Sequence, residues 1–256
     1  MAAPDEVLAR REGDVLRVTV NRPDKHNPLS RPVLSRLRQV FTAAADDLSL
    51  RCAVLTGAGD RYFAAGGDVR DLAMVRTADE TIAMATAARD ALDAVRRFPV
   101  PVVAALNGDA IGGGAELAVA CDLRVASASA KIGFIHGKLG ISSAWGGGPD
   151  LVALVGPSRA LRMSARCELV PGPTALQWGL IDELAHDKPL ESAVSEFIAP
   201  ILRQLPATLR AAKEQALAWR RGDSYEERRA IEQRHFVSTW TSPEHWSAVD
   251  RLLQPK

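Results

Sequence analysis

The chain has 256 residues, with 32 Lys and Arg against 31 Asp and Glu, and 47% of its residues are hydrophobic. The near-cancelled charge excludes a bulk basic field for nucleic acid or a membrane surface, and the hydrophobic content excludes a disordered chain. The length suits one large domain, or a core domain with a small appendage. Cys52, Cys121 and Cys167 lie far apart and form no metal or redox pattern, so they read as reduced thiols. The first twelve residues carry charges and no apolar signal core, and no run approaches the roughly 18 apolar residues of a membrane helix. A cytoplasmic protein with no membrane partner is the expectation.

In chain order, Val15, Val18 and Val20 mark a short strand that ends at Asn21-Arg22-Pro23. Ser30 has the position of an N-cap, with Pro32 in the first turn. Val33, Leu34, Leu37, Val40 and Phe41 then repeat at helical spacing and predict an amphipathic helix over 31–46. Residues 53–56 read as a buried strand, 57–68 as a loop, 79–97 as a helix and 102–106 as another apolar strand. A glycine turn then opens a helix at 113–120. Alternation of this kind predicts an α/β core with helices covering a sheet. Beyond residue 173 the β pattern fades, and 173–179, 190–204, 206–221, 224–238 and 243–253 read as helices. The expected division is a core over 1–195 and a helical C-terminal region over 196–256.

Two segments have the composition of a ligand-binding backbone. Ile111-Gly112-Gly113-Gly114-Ala115-Glu116-Leu117 follows a strand and opens a helix. The first N–H groups of a helix lack internal partners and sit at its electropositive end. Glycines there remove side chains that would keep a ligand off the backbone. The same residues would also serve a tight, closely packed turn. The spacing matches neither the dinucleotide fingerprint nor a Walker phosphate loop. Phe63-Ala64-Ala65-Gly66-Gly67-Asp68-Val69 exposes backbone at the end of a buried strand, where α/β folds commonly bind ligands, or is a plain loop. Glu116 either complements the helix dipole or faces the same cleft as Gly113.

Taken together and in order, Asn21-Arg22-Pro23, Thr56-Gly57-Ala58-Gly59, Ala65-Gly66-Gly67-Asp68, Gly112 to Leu117, Cys121-Asp122, Leu139-Gly140 and Trp145-Gly146-Gly147 resemble the crotonase (enoyl-CoA hydratase/isomerase) superfamily. The resemblance implies an α/β spiral of ββα units with a helical C-terminal region that builds a homotrimer, often paired into a hexamer. It implies an acyl-CoA substrate whose thioester oxygen enters an oxyanion hole made by the N–H groups of Gly67 and Gly113. It makes Glu116 a catalytic residue. Ala65, Gly66, Asp68 and Gly112 would bind the substrate or its CoA; Arg22 and Lys25 would contact the CoA portion or form a solvated turn, and Trp145 would line the acyl pocket or simply pack. Family members commonly carry Ala or Ser where Gly67 stands, but a backbone donor does not depend on the side chain. No metal or organic cofactor is implied beyond the CoA of the substrate, and the five histidines, at 26, 136, 186, 235 and 245, offer no close pair for a metal.

One position departs from the hydratase pattern. Where hydratases of this family carry a second glutamate, counting back from Gly140 gives His136, in Phe134-Ile135-His136-Gly137-Lys138-Leu139-Gly140. An imidazole can orient a carboxylate or deliver a proton near neutral pH, or it can simply pack. With Ala144-Trp145-Gly146-Gly147 and Thr239-Trp240-Thr241-Ser242-Pro243, this feature resembles the ethylmalonyl/methylmalonyl-CoA decarboxylase branch. The expected reaction is therefore decarboxylation of an alkylmalonyl-CoA through an enolate, with Glu116 and His136 as catalytic residues. The alternatives are an enoyl-CoA hydratase or isomerase, and a non-catalytic acyl-CoA-binding protein. Arg220, Arg221, Arg228, Arg229 and Arg234 are expected on a solvated or subunit-facing surface. A serine hydrolase is excluded, because Ser142 and Ser143 form no G-x-S-x-G.

Overall fold

The computed structural model describes residues 5–254. Strands β1 (Val7–Glu12), β2 (Val15–Val20), β3 (Cys52–Gly57), β5 (Val102–Leu106), β7 (Leu123–Ser127) and β10 (Glu183–Ala185) form one sheet in the order β1-β2-β3-β5-β7-β10. All its pairs are parallel except the β1–β2 hairpin. Strands β4 (Tyr62–Ala64), β6 (Asp109–Ile111), β8 (Lys131–Gly133) and β9 (Val170–Pro171) form a second sheet in that order. From β3 to β8, each turn of the chain places one strand in the large sheet and the next in the small one, before helices carry it on. The α/β architecture is the expected one.

Side chains alternate across a strand, and this splits the large sheet into two cores. Ala53, Leu55, Val102, Ala104 and Leu106 face α1 (Arg31–Ala44), α3 (Ala78–Arg96) and α4 (Gly113–Ala120). Cys52, Val54, Val103, Ala105 and Val125 face Ala193, Val194 and Ile198 of α8 (Leu190–Leu202). Strands buried on both faces read as continuous apolar runs, which is why β3 and β5 were legible. Helix α1 begins where expected: the Ser30 hydroxyl accepts from the Val33 N–H at 3.4 Å. The expected division after residue 195 falls within α8.

Several elements differ from the sequence reading. The loop expected over 57–68 contains β4, a strand of three residues. The β pattern does not end at 173, because β10 extends the large sheet beside β7. Strand β1 was hidden by its charge, as an edge strand with five of its six residues exposed. Helices α5 (Gly147–Val155) and α6 (Pro157–Arg166) follow the second glycine turn; Gly-Gly-Pro at the first and Gly-Pro at the second read as punctuation. Helix α2 (Val69–Leu72) is one turn, and α7 (Gly172–Gln177) is also short.

Helices α9 (Pro206–Arg221), α10 (Tyr225–Trp240) and α11 (Pro243–Leu253) complete the chain. Charge fixes α9 to the core. Lys213, 3% exposed, donates to Asp122 Oδ1 at 2.6 Å. Burial pushes the Lys213 ammonium down, against the pull of the Asp122 carboxylate. Arg220 was expected on a surface, but it donates to the carbonyls of Ala120 at 3.1 Å and Cys121 at 3.0 Å. It therefore satisfies the C-terminal end of α4, where a cation also suits the helix dipole.

Candidate active site

Parallel pairing in the small sheet builds the site. Strands β4 and β6 are neighbours, with Ala64 opposite Ala110. Strands β6 and β8 are neighbours, with Ile111 opposite Gly133. The segments leaving these three strands therefore emerge side by side: Ala65-Gly66-Gly67, Gly112-Gly113 and Phe134-Ile135-His136. Ligand sites in α/β folds form at such carboxyl ends of strands.

The glycines are required by geometry. Gly66 has φ +100° and Gly112 has φ +55°, conformations that side chains with a Cβ rarely adopt. A Cβ on Gly114 would lie 2.0 Å from the Ala64 carbonyl oxygen, so α4 meets β4 backbone to backbone. A Cβ on Gly66 would come within 3.6 Å of the Gly113 nitrogen. Residues 66–67 and 112–113 are thus in close apposition. Among the described residues, the N–H groups of Gly67 and Gly113 have no protein acceptor. Gly113 is the first residue of α4, where an N–H has no partner within the helix. Unpaired backbone donors are costly when buried, and a carbonyl oxygen placed between these two would satisfy both.

Glu116 lies one turn into α4 and is 1% exposed. Its Oε2 accepts from the N–H groups of Trp145 and Gly147, each at 2.9 Å. Its Oε1 is 3.1 Å from His136 Nε2. A carboxylate accepting two backbone N–H bonds is held in one orientation, and only Oε1 remains for exchange with a ligand or His136. The His136 side chain is 12% exposed and lies beside the glycine turn: a Cβ on Gly112 would be 3.9 Å from its Nε2. Trp145, 7% exposed, brings its ring against both Gly67 and Gly113.

A layer behind these residues was not anticipated. The Trp145 carbonyl accepts from Arg96 Nη2 at 3.1 Å, and Arg96 Nε donates to Asp150 Oδ2 at 2.7 Å. This buried pair ties the loop that clamps Glu116 to α3 and α5. Gly147 is part of the same fit, because a Cβ there would lie 2.5 Å from Glu116 Cγ. One signal was available in the sequence. Arg96 shares the buried face of α3 with Ala88, Leu92 and Val95, and a charge on an apolar face needs a partner.

The two residues expected to contact CoA lie in different surroundings, Arg22 among protein partners and Lys25 in the open. Arg22 Nε pairs with Glu6 at 2.9 Å, and its Nη1 reaches Asp68 Oδ2 at 2.8 Å and the Pro28 carbonyl at 3.0 Å. Asp68 also caps α2, accepting from the Arg70 N–H at 3.2 Å. Burial acts to raise the Asp68 carboxyl, but the Arg22 hydrogen bond and the Asp71 and Arg70 N–H groups outweigh it and hold it below the usual carboxylate range. Arg22 and Asp68 therefore act as a latch that positions the Ala65–Gly67 backbone, together with Leu29 N–H donating to Gly66 O at 2.8 Å. Lys25 lies exposed in a short 3-10 helix, Pro23–Lys25. No helix of the described residues is long and apolar enough to cross a membrane.

Comparison with known proteins identifies the family to which this fold belongs. The model of the enoyl-CoA hydratase/isomerase family matches residues 10–251. The chain is 36% identical over 213 residues to the 2,3-dehydroadipyl-CoA hydratase of Escherichia coli K12, covering 82% of this chain and 80% of that protein. It is 30% identical over 210 residues to the short-chain-enoyl-CoA hydratase of Clostridium acetobutylicum, with coverage of 82% and 80%. The crystal structure of an enoyl-CoA hydratase from Bacillus anthracis superposes with a TM-score of 0.90 at 26% identity, over 97% of this chain and 96% of that one. With two free backbone donors, a clamped glutamate and the fold that presents them, the chain belongs to the enoyl-CoA hydratase/isomerase family and is an enzyme of acyl-CoA thioesters.

Proposed function

We propose that the chain adds water across the double bond of a 2-enoyl-CoA, or removes it from the 3-hydroxyacyl-CoA. The observation that carries this reading is the placement of Glu116. One of its oxygens is clamped, and the other meets His136 beside the two free N–H groups. The hydratase names of the two relatives favour it over the decarboxylase expected from the sequence.

In this reading the thioester oxygen accepts from Gly67 and Gly113, which draws electrons from C3. Water bonds to C3 through its oxygen and gives a proton to the Glu116–His136 pair. The resulting enolate is held by the same two donors, each worth about 3 kcal/mol of barrier height in such sites. The pair returns a proton to C2 and ends the cycle as it began. An imidazole can take the acid role near neutral pH, so Glu116 and His136 together cover what two carboxylates do elsewhere.

The absence of a carboxylate at 136 favours a second reading, decarboxylation of methylmalonyl- or ethylmalonyl-CoA, in which loss of CO2 from C2 leaves a thioester enolate held by the same two N–H groups. Parallel assays on crotonyl-CoA and on the two malonyl esters separate these. Hydration without CO2 release is expected; CO2 release without hydration would replace the first reading with the second. Binding without turnover on any ester would leave an acyl-CoA-binding protein. The enzyme is further proposed to work as a homotrimer in the cytoplasm, with the region from residue 196 carrying the assembly surface.

A further inference from the structure

We propose that the Trp145 indole sets the size of the acyl group this enzyme accepts, restricting it to short chains. The inference rests on the thioester oxygen lying between Gly67 and Gly113. A Cβ on Gly113 would lie 2.2 Å from Trp145 Cζ3, and one on Gly67 would lie 3.3 Å from Trp145 Cη2. The six-membered ring of one indole therefore abuts the α-carbons of both donor residues. The first carbons of the acyl chain must pass beside that ring to bring C3 to Glu116.

The glycine at 67 has its explanation here. Leu72 Cδ1 would be 3.1 Å from a Cβ at that position, and Trp145 would be almost as close. The volume that an alanine or serine side chain would fill is already flanked by the indole and Leu72. Trp145 is also fixed. Its carbonyl is held by Arg96 at 3.1 Å, and its N–H is bonded to Glu116 at 2.9 Å. Those two bonds come from the backbone. A change of side chain at 145 thus alters the wall of the site while keeping the groups that clamp the base.

The test compares crotonyl-CoA with trans-2-octenoyl-CoA as substrates, and butyryl-CoA with octanoyl-CoA as saturated ligands in calorimetry. Wild type is expected to prefer the four-carbon esters in both measurements. Trp145→Ala should raise the octenoyl-to-crotonyl ratio of kcat/KM by at least about tenfold, the scale on which apolar pockets discriminate chain length. Trp145→Phe, which keeps more of the core filled, should move the ratio in the same direction by less. Gly67→Ala should weaken butyryl-CoA binding in wild type and cost less in the Trp145→Ala background. An enzyme that binds and turns over esters with a ratio unchanged by both Trp145 variants would overturn the inference alone. A wild-type chain that binds none of the esters would overturn it together with the reading on which it rests.

Discussion

Glu116 concentrates the chemistry of this chain in one side chain. A buried carboxylate is unfavourable unless it is hydrogen-bonded, and here two backbone N–H groups and an imidazole supply the bonds. Glu116→Gln keeps an acceptor for the two N–H groups but removes the base. The variant should fold with a near wild-type melting temperature and lose about 10²–10⁴-fold in turnover, the usual contribution of general acid–base catalysis. Circular dichroism and crotonyl-CoA kinetics on the same sample check both parts, and full activity would remove Glu116 from the mechanism. Arg22 governs the charge state of its neighbour Asp68. Its hydrogen bond helps hold the Asp68 carboxyl below its ordinary value. An acid with a depressed folded pKa contributes stability above its ordinary value, about 3.9 for Asp. That contribution is lost as the pH falls through the folded value. In a carbon NMR titration, Asp68 should titrate below the ordinary range in wild type and move upward in Arg22→Met.

Among the elements, the α4–β4 contact is the tightest part of the site. Gly114 has no room for a methyl against the Ala64 carbonyl, whereas Gly140, with φ +68°, has nothing within 4 Å of where a Cβ would stand. Gly114→Ala must force strand and helix apart, and overpacking of this kind costs about 1–3 kcal/mol or more. Gly140→Ala meets only left-handed backbone strain, of about 1–2 kcal/mol. Denaturant melts should rank Gly114→Ala as the more damaging, and it alone should also reduce turnover. The glycine turns were legible in the sequence because their demand is local: a positive φ or a bare backbone can be met only by a few residue types. The Arg96–Asp150 anchor and the clamp from Trp145 and Gly147 onto Glu116 were not legible, since they join positions far apart in the chain. Arg22 shows the same limit. The sequence placed a cation in a turn near the site, and the fold gave it Glu6 and Asp68 as partners.

In the whole molecule, the α/β core was legible because β3 and β5 are unbroken apolar runs and α1 has clean helical periodicity. Short or charged strands such as β4 and β1 take their form from neighbours rather than from pattern. The C-terminal helices leave large apolar side chains in the open. Phe236 is 58%, Trp240 48% and Trp246 46% exposed in the single chain, with the Trp240 ring 5.3 Å from Phe236 and 6.1 Å from Trp246, and exposed apolar groups gathered in one region commonly mark an interface. Light scattering should give a mass of three or six chains. A monomer at micromolar concentration would contradict the proposed assembly. Whether Gly67 and Gly113 form the oxyanion hole is decided by a crystal structure with butyryl-CoA, which offers the thioester but no double bond. The thioester oxygen is expected about 2.7–3.1 Å from both backbone nitrogens, with C3 facing Glu116 and His136. A thioester bound elsewhere, or held by side chains with those two N–H groups still free, would contradict that assignment.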